Sequence, residues 1–430
     1  MSTSKQNKAL VVSTMAWVVC FAIWTLFSVI GIKIKENLGL TNAEFGVLIA
    51  TPVLTGAVSR LFLGMLADQY GGRIIAVVVM LLAATSSWLL ASASTYQMYL
   101  AAALGIGLAG GYFAIGVAYV SRWTDKEKQG TSLGIFGFGQ SGAAITSFFA
   151  PMLLVTYGWA DVAKIYAMVV VVFAAIFWFT TEDEPGLQNR KNLKRTSFLD
   201  QFTPLGKLQV WRFAVYYFFV FGAFVALTLW LPRYYMGVYN LNIETAGILT
   251  TIFTLPAGIF RAVGGILSDK IGARKVMYIT FITCVICTFI LSYPPTTYTI
   301  HGINHDINFQ LSMGLAPFVA FTGILSVFMS FGMAAVYKHI PVYYPLHVGS
   351  VGGVVGFIGG LGGFFLPIIF GVLNDLIGIW TSCFMLLFML VAIALVWMHI
   401  TIMLMEKKQN PALRGPKFLP ELQETEQAIS

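Results

Sequence analysis

The sequence predicts an all-α membrane protein whose twelve spanning helices form two six-helix repeats. Three observations predict it. The first is composition: of 430 residues, 58% are apolar and only 10% are charged, with a mean hydropathy of +0.80. Soluble domains carry about 25% charged residues, so a soluble enzyme is excluded. The second is the recurrence of apolar runs of about 18–25 residues, long enough to cross a hydrocarbon core about 30 Å thick. Barrel strands would alternate in segments of about 10 residues. The third is an internal repeat. Gly46 to Arg73 aligns with Gly247 to Arg274 at one constant offset, pairing Arg60 with Arg261, Gly64 with Gly265, Asp68 with Asp269, Gly71 with Gly272 and Arg73 with Arg274.

In chain order the expected spans are 10–32, 43–66, 73–92, 97–121, 129–153, 163–181, 211–236, 244–266, 274–293, 311–336, 347–371 and 378–403. An even count leaves both termini on one face, and the basic residues choose which. Of the 26 Lys and Arg residues, Arg60 and Arg261 fall inside spans, and Lys33, Lys35, Lys164 and Arg233 fall on the face away from the termini. All the others share the face of the termini, which is therefore expected to be cytoplasmic. The net charge of +8 is thus a topology signal, and nucleic acid is not an expected partner. The expected units are a six-helix bundle over 1–181, a linker over 182–210 containing Pro185, Asn189–Arg195 and Pro204, a second bundle over 211–403, and a tail over 404–430. The short basic start, with Lys5 and Lys8, leads into a first span and not into a removed signal. The segment Tyr293–Gln310 is expected to be an outer loop, with His301 and His305 solvated.

The four cysteines all fall in apolar runs. Cys284 and Cys287 have C-x-x-C spacing but no ligand-type neighbours, so packing is the reading and no metal is expected. No nucleophile–base pair and no nucleotide-binding loop is present. An enzyme, a cofactor and ATP drive are not expected.

The charges inside the membrane carry the functional signal. Arg60 stands eight residues before Asp68 on one predicted helix, and Arg261 stands likewise before Asp269. At about 1.5 Å per residue each lies about 12 Å inside the membrane. Such an arginine costs about 2.5–3.5 kcal/mol to insert, unless it snorkels to the interface. All 18 Asp and Glu residues lie in loops, tails or span ends. Two facing guanidinium groups without a carboxylate call for a small anion held by planar forks. In the seventh run Tyr217 and Phe221 are four apart and share a face, as a wall for a planar anion or as a lipid-facing surface. Glycines crowd two runs: Gly134, Gly137, Gly139 and Gly142 in the fifth, and Gly356, Gly359, Gly360 and Gly363 in the eleventh. They permit either close helix packing or a surface on which helices slide.

The stretch Gly64-Met-Leu-Ala-Asp68-Gln-Tyr-Gly71-Gly-Arg73, with its copy Gly265 to Arg274, resembles the loop between the second and third helices of the major facilitator superfamily. The resemblance implies that Asp68, Arg73, Asp269 and Arg274 latch one conformation. Two glycine-rich signatures are narrower. Gly110 to Gly116 continuing into Gln129–Gly142 and Pro151, and Gly356 to Pro367, resemble those of the nitrate/nitrite porter family. Membership would imply that Arg60 and Arg261 bind the anion and that Tyr217 and Phe221 help enclose it. Gln140 stands where the family usually has Asn, which bears on the preference between nitrate and nitrite. The implied function is a secondary active transporter of nitrate and nitrite, serving nitrate assimilation. It would work by alternating access as a monomer in the lipid bilayer of the cell (inner) membrane. Nitrate import in exchange for nitrite is expected, because an anion offsets the repulsion of the two arginines and eases reorientation. Symport with protons and an anion channel are the alternatives.

Overall fold

A computed structural model describes residues 3–124, 129–183, 185, 206–344 and 348–409. It contains twelve helices long and apolar enough to cross a membrane. We number them α1 to α12. In the first repeat, α1 runs Thr3–Trp24 and resumes at Phe27–Leu38, α2 is Asn42–Tyr70, α3 Gly72–Leu90 and α4 Tyr96–Trp123. The fifth, α5, is Gln129–Gly137 continued through Gly142–Tyr157, and α6 is Trp159–Thr180. In the second, α7 is Leu208–Tyr217 continued through Phe224–Tyr239, α8 Ile243–Ile271, α9 Ala273–Leu291, α10 Leu315–Tyr343, α11 Val348–Ile377 and α12 Ser382–Gln409. Most of the linker and tail expected from the sequence lies outside the described residues.

The repeat read from the sequence is visible in the packing. In the first half α4 packs on α2 and α3, α6 on α3, and α1 on α5; in the second, α10 packs on α8 and α9, α12 on α9, and α7 on α11. The repeated loop glycines adopt matching backbone: Gly71 has φ 99° and Gly272 φ 88°. That region suits glycine, which has no Cβ to clash, and it allows the abrupt turns into α3 and α9.

The two halves meet along two antiparallel seams, α2 with α11 and α8 with α5. Both rest on close approaches at glycine. A Cβ on Gly360 of α11 would lie 2.6 Å from Cβ of Ala57 on α2. A Cβ on Gly258 of α8 would lie 3.1 Å from the Phe138 carbonyl and the Ser141 nitrogen of α5. Ala57 and Gly258 are repeat equivalents, and each stands one helical turn before its arginine. Further toward the face that carries the termini, a Cβ at Gly134 or Gly353 would meet nothing within 4 Å.

The far face, opposite the termini, is closed. There the Asp375 carboxylate of α11 accepts from Asn42 N (3.2 Å), Asn42 Nδ2 (2.6 Å) and Ala43 N (2.7 Å) at the start of α2. The two backbone donors are orphans of a helix N-terminus, and an anion there also suits the helix dipole. Thr41 and Glu44 complete the cap with a capping box. Arg233 of α7 donates to Asn42 Oδ1 and lies over the rings of Phe45 and Trp380 at 5.3 and 5.5 Å.

One part of the sequence reading is corrected. The tenth helix begins at Leu315, not at 311, because the segment read as a plain outer loop pairs with itself. Strands β1 (Thr296–His301) and β2 (Asp306–Leu311) form an antiparallel hairpin. Its Tyr298, Ile300, Ile307 and Phe309 look like continuations of apolar runs in composition but alternate with polar residues.

Candidate anion-binding site

The residues before each arginine bring it to the middle of the molecule. Arg60 follows the Ala57 contact on α2 and is buried. Its Nε donates to the Gly110 carbonyl of α4 at 3.2 Å, which fixes the plane of the fork. Its Cζ lies 5.3 Å from the ring of Phe221, 5.4 Å from Phe113 and 5.6 Å from Trp24. Arg261 follows the Gly258 contact on α8. Its Nη2 donates to the Tyr217 hydroxyl at 3.4 Å, and its Cζ lies 5.8 Å from Phe113 and 6.0 Å from Tyr337. Phe113 thus lies beside both guanidinium groups. The ionisable groups that act on Arg60 are Tyr217, Tyr337 and Arg261, the last as a like charge.

Buried donors are normally paired, yet Arg60 Nη2 and Arg261 Nη1 are buried without a hydrogen-bond partner, as is the acceptor Gln140 Oε1. The two orphaned donors belong to the two cations that converge. Aromatic faces hold such cations by the ring quadrupole but leave the in-plane N–H groups free. The arrangement can therefore take a small planar acceptor between two forks.

Two irregular helical turns shape this site. Within α5 the residues Phe138–Ser141, Gln140 among them, wind as a 3₁₀ turn. Within α7 the residues Phe218–Ala223 wind as a π-turn, a feature frequent at functional sites. Tyr217 and Phe221 stack at 5.1 Å with 7° between their planes. They face inward and are buried, so they are not a lipid-facing surface. Gly359 of α11 is obligatory beneath them, because a Cβ there would run into the Tyr217 ring.

The model of the Major Facilitator Superfamily matches residues 12–304 and 239–424. A probable nitrate/nitrite antiporter of Thermus thermophilus is 38% identical over 95% of this chain and 94% of its own. The chain belongs to the nitrate/nitrite porter family of that superfamily. The porter is also 28% identical to a nitrite extrusion protein of Bacillus subtilis, over 89% of this chain and 91% of the other. Among solved structures, an inward-facing, unoccupied bacterial homolog of the human lysosomal transporter Spinster superposes with a TM-score of 0.73 at 14% identity. That match covers 93% of this chain and 97% of the other, and it speaks for the fold alone. Membership in a superfamily of transporters bears out that the porter is not an enzyme.

The remaining expected residues fall in three places. Gly137 lies beside Arg261, where a Cβ would be 3.4 Å from its Cδ, and Gly356 lies under the Tyr337 hydroxyl. Gly139 and Gly142 face Trp17 and the backbone of α1, while Gly363 faces Val53 and Val225. The loop charges lie away from the anion site. Arg73 donates to the Trp178 carbonyl at 2.5 Å, stacks on the Trp178 ring at 4.2 Å and lies 3.7 Å from Asp183. Asp269 pairs with Lys338 at 3.1 Å, and Arg274 is buried. The Asp68 side chain lies outside the described residues. Each of these pairs stays within one half of the porter.

Sequence reasoning missed Phe113, Trp24 and Tyr337. Phe113 stands inside the first glycine signature, directly after Gly110, Gly111 and Tyr112, and that placement was the available signal. Tyr337 is T-stacked on Tyr217 at 5.0 Å and donates to the Gly352 carbonyl at 3.2 Å. It has no counterpart in the repeat alignment and no motif to mark it.

Proposed function

We propose that this porter carries nitrate and nitrite across the cell membrane by alternating access, importing nitrate in exchange for nitrite. The observation that carries the reading is the pair of repeat-equivalent arginines, Arg60 and Arg261, each with an orphaned Nη. No carboxylate is among the partners that the described residues offer them. Nitrate and nitrite are small, planar and singly charged, and they accept hydrogen bonds in the plane where the forks donate. The names of the relatives point to the same ions.

The bundles 1–181 and 211–403 move as two bodies, joined by the linker 182–210 and followed by the tail 404–430. Both termini are cytoplasmic, so the closed far face is external and the porter stands inward-facing. Both arginines come from one chain, so a monomer suffices. The loop residues Asp68, Arg73, Asp269 and Arg274 serve the opposite state, when the cytoplasmic ends come together. Exchange follows from electrostatics. Two like charges in a medium of low dielectric repel, a bound anion offsets that repulsion, and the loaded site closes more readily than the bare one. Among the described residues no Asp or Glu side chain is a partner of either arginine to carry a proton.

The test is nitrate uptake into proteoliposomes loaded either with nitrite or with an inert buffer anion, with and without an inward proton gradient. Fast uptake that requires internal nitrite is expected. Robust gradient-driven uptake into nitrite-free vesicles would replace exchange by proton symport.

A further inference from the structure

The hairpin between α9 and α10 is clean in its two faces. The register pairs Thr296 with Leu311, Tyr298 with Phe309 and Ile300 with Ile307. Side chains alternate across a strand, so these pairs share one face, which is apolar except for Thr296. The other face holds Thr297 with Gln310, Thr299 with Asn308 and His301 with Asp306. It is laced by a Thr299–Asn308 hydrogen bond of 2.6 Å and a His301–Asp306 contact of 2.9 Å. The apolar face is nevertheless exposed throughout, and Ile303 at the turn is fully so. Among the described residues no helix or third strand packs closely on either strand.

That is an unstable arrangement in water. A two-stranded hairpin is marginal by itself and needs a surface against its apolar face. Its tethers limit the choice. Only residues 292–295 separate it from α9 and only 312–314 from α10. Four residues reach about 14 Å at most, so the root of the hairpin stays close to the outer ends of α9 and α10. Beside its root lies an apolar furrow of about 780 Å³ between α8 and α10, lined by Leu249, Ile252, Pro256, Leu315, Val319 and Gly323. Tyr298 and Phe309 stack at 5.2 Å, and such aromatic side chains are enriched at membrane–water interfaces. The apolar face carries no charge, and the one acidic residue of the strands, Asp306, is on the polar face.

We infer that this hairpin is a membrane-surface anchor. Its apolar face lies flat on the external leaflet, with lipid acyl chains filling the furrow between α8 and α10 beneath it. It ties the outer ends of α9 and α10 to the plane of the bilayer, so that the second bundle has a fixed reference when the first rocks against it.

The test places nitroxide labels on single cysteines introduced on opposite faces, Ile307→Cys and Asn308→Cys. The four native cysteines are buried, and the unsubstituted chain serves as the labelling control. Collision rates with oxygen, which concentrates in lipid, and with a water-soluble nickel chelate are measured in phosphatidylcholine vesicles. The Ile307 label should collide several-fold more with oxygen and several-fold less with nickel than the Asn308 label, and the contrast should shrink when the lipid is replaced by a short-chain detergent. Equal nickel access at both positions would mean that the hairpin stands in water and would overturn the anchor. Protection of the Ile307 label from both reagents would mean that protein covers the face, and would overturn it equally. Neither variant touches the anion site, so the outcome is independent of the transport reading.

Discussion

The two arginines are equivalent by repeat and unequal in their surroundings. Arg60 is buried, tied to the Gly110 carbonyl and flanked by three rings. Arg261 is half-buried, has one long hydrogen bond to a hydroxyl and is flanked by two rings. The seams that carry them differ in the same sense. The α2–α11 seam is fastened at its far end by Asp375. Among the described residues no side-chain hydrogen bond joins α5 to α8. If the two arginines bind the anion as proposed, the Arg60 side is held in place by more contacts than the Arg261 side, and the two should respond differently to substitution.

The largest expected effect is at the forks themselves. Hydrogen bonds to a charged partner are worth about 1.5–3 kcal/mol, so Arg60→Lys and Arg261→Lys should each weaken nitrate binding about 10–100-fold. The loss should be greater at the prearranged Arg60. Titration of purified protein with nitrate would measure it, and near-normal affinity of a correctly inserted Arg60→Lys would remove the site assignment. Next come the seams. Gly360→Val and Gly258→Val insert atoms where the halves touch, a change that costs about 1–3 kcal/mol in a packed interior. Both should slow exchange in vesicles far more than they weaken binding. Equal slowing of the two steps would mean that the glycines serve folding alone.

Asp375→Asn removes the charge that caps α2 across the interface. Loss of such a cap costs about 0.5–2 kcal/mol, here charged only to the state closed on the far face. Spin-label distances between the far ends of α2 and α11 should lengthen in a larger share of molecules, with stability in detergent little changed. An unaltered distance distribution would make the two seams energetically alike. The smallest effect belongs to Tyr217→Phe, which deletes the hydroxyl partner of Arg261 and keeps the ring. That hydrogen bond is long, 3.4 Å, and is taken at about 0.5–1.5 kcal/mol, so apparent nitrate affinity should fall about 2–10-fold. A larger fall would mean that the hydroxyl, not the guanidinium, is the principal ligand on that side.

The fold was legible because lipid imposes long apolar runs, and duplication left Gly46–Arg73 and Gly247–Arg274 in register. The arginines were legible for a related reason: a charge that costs energy in a membrane is retained only where it acts. Three features were hidden. Tyr337 reaches the site through the packing of α10 on α7 and α11, which no spacing in the chain encodes. The Asp375 cap joins residues 333 positions apart, and at a span end an aspartate reads as ordinary surface charge. The hairpin was hidden because its alternating face is short and lies between two far stronger helical signals.

The aromatic lining has a consequence for which ions are admitted at all. Phe113, Phe221 and Trp24 offer ring faces where bulk solvent would offer dipoles, so an ion entering between the forks must shed most of its water shell. What the site returns is a few in-plane N–H groups, enough for an ion that holds its water weakly and too few for one that holds it strongly. Discrimination then begins with dehydration and not with shape. On the proposed reading the site should therefore disfavour sulfate and phosphate, which are costly to strip of water, relative to nitrate.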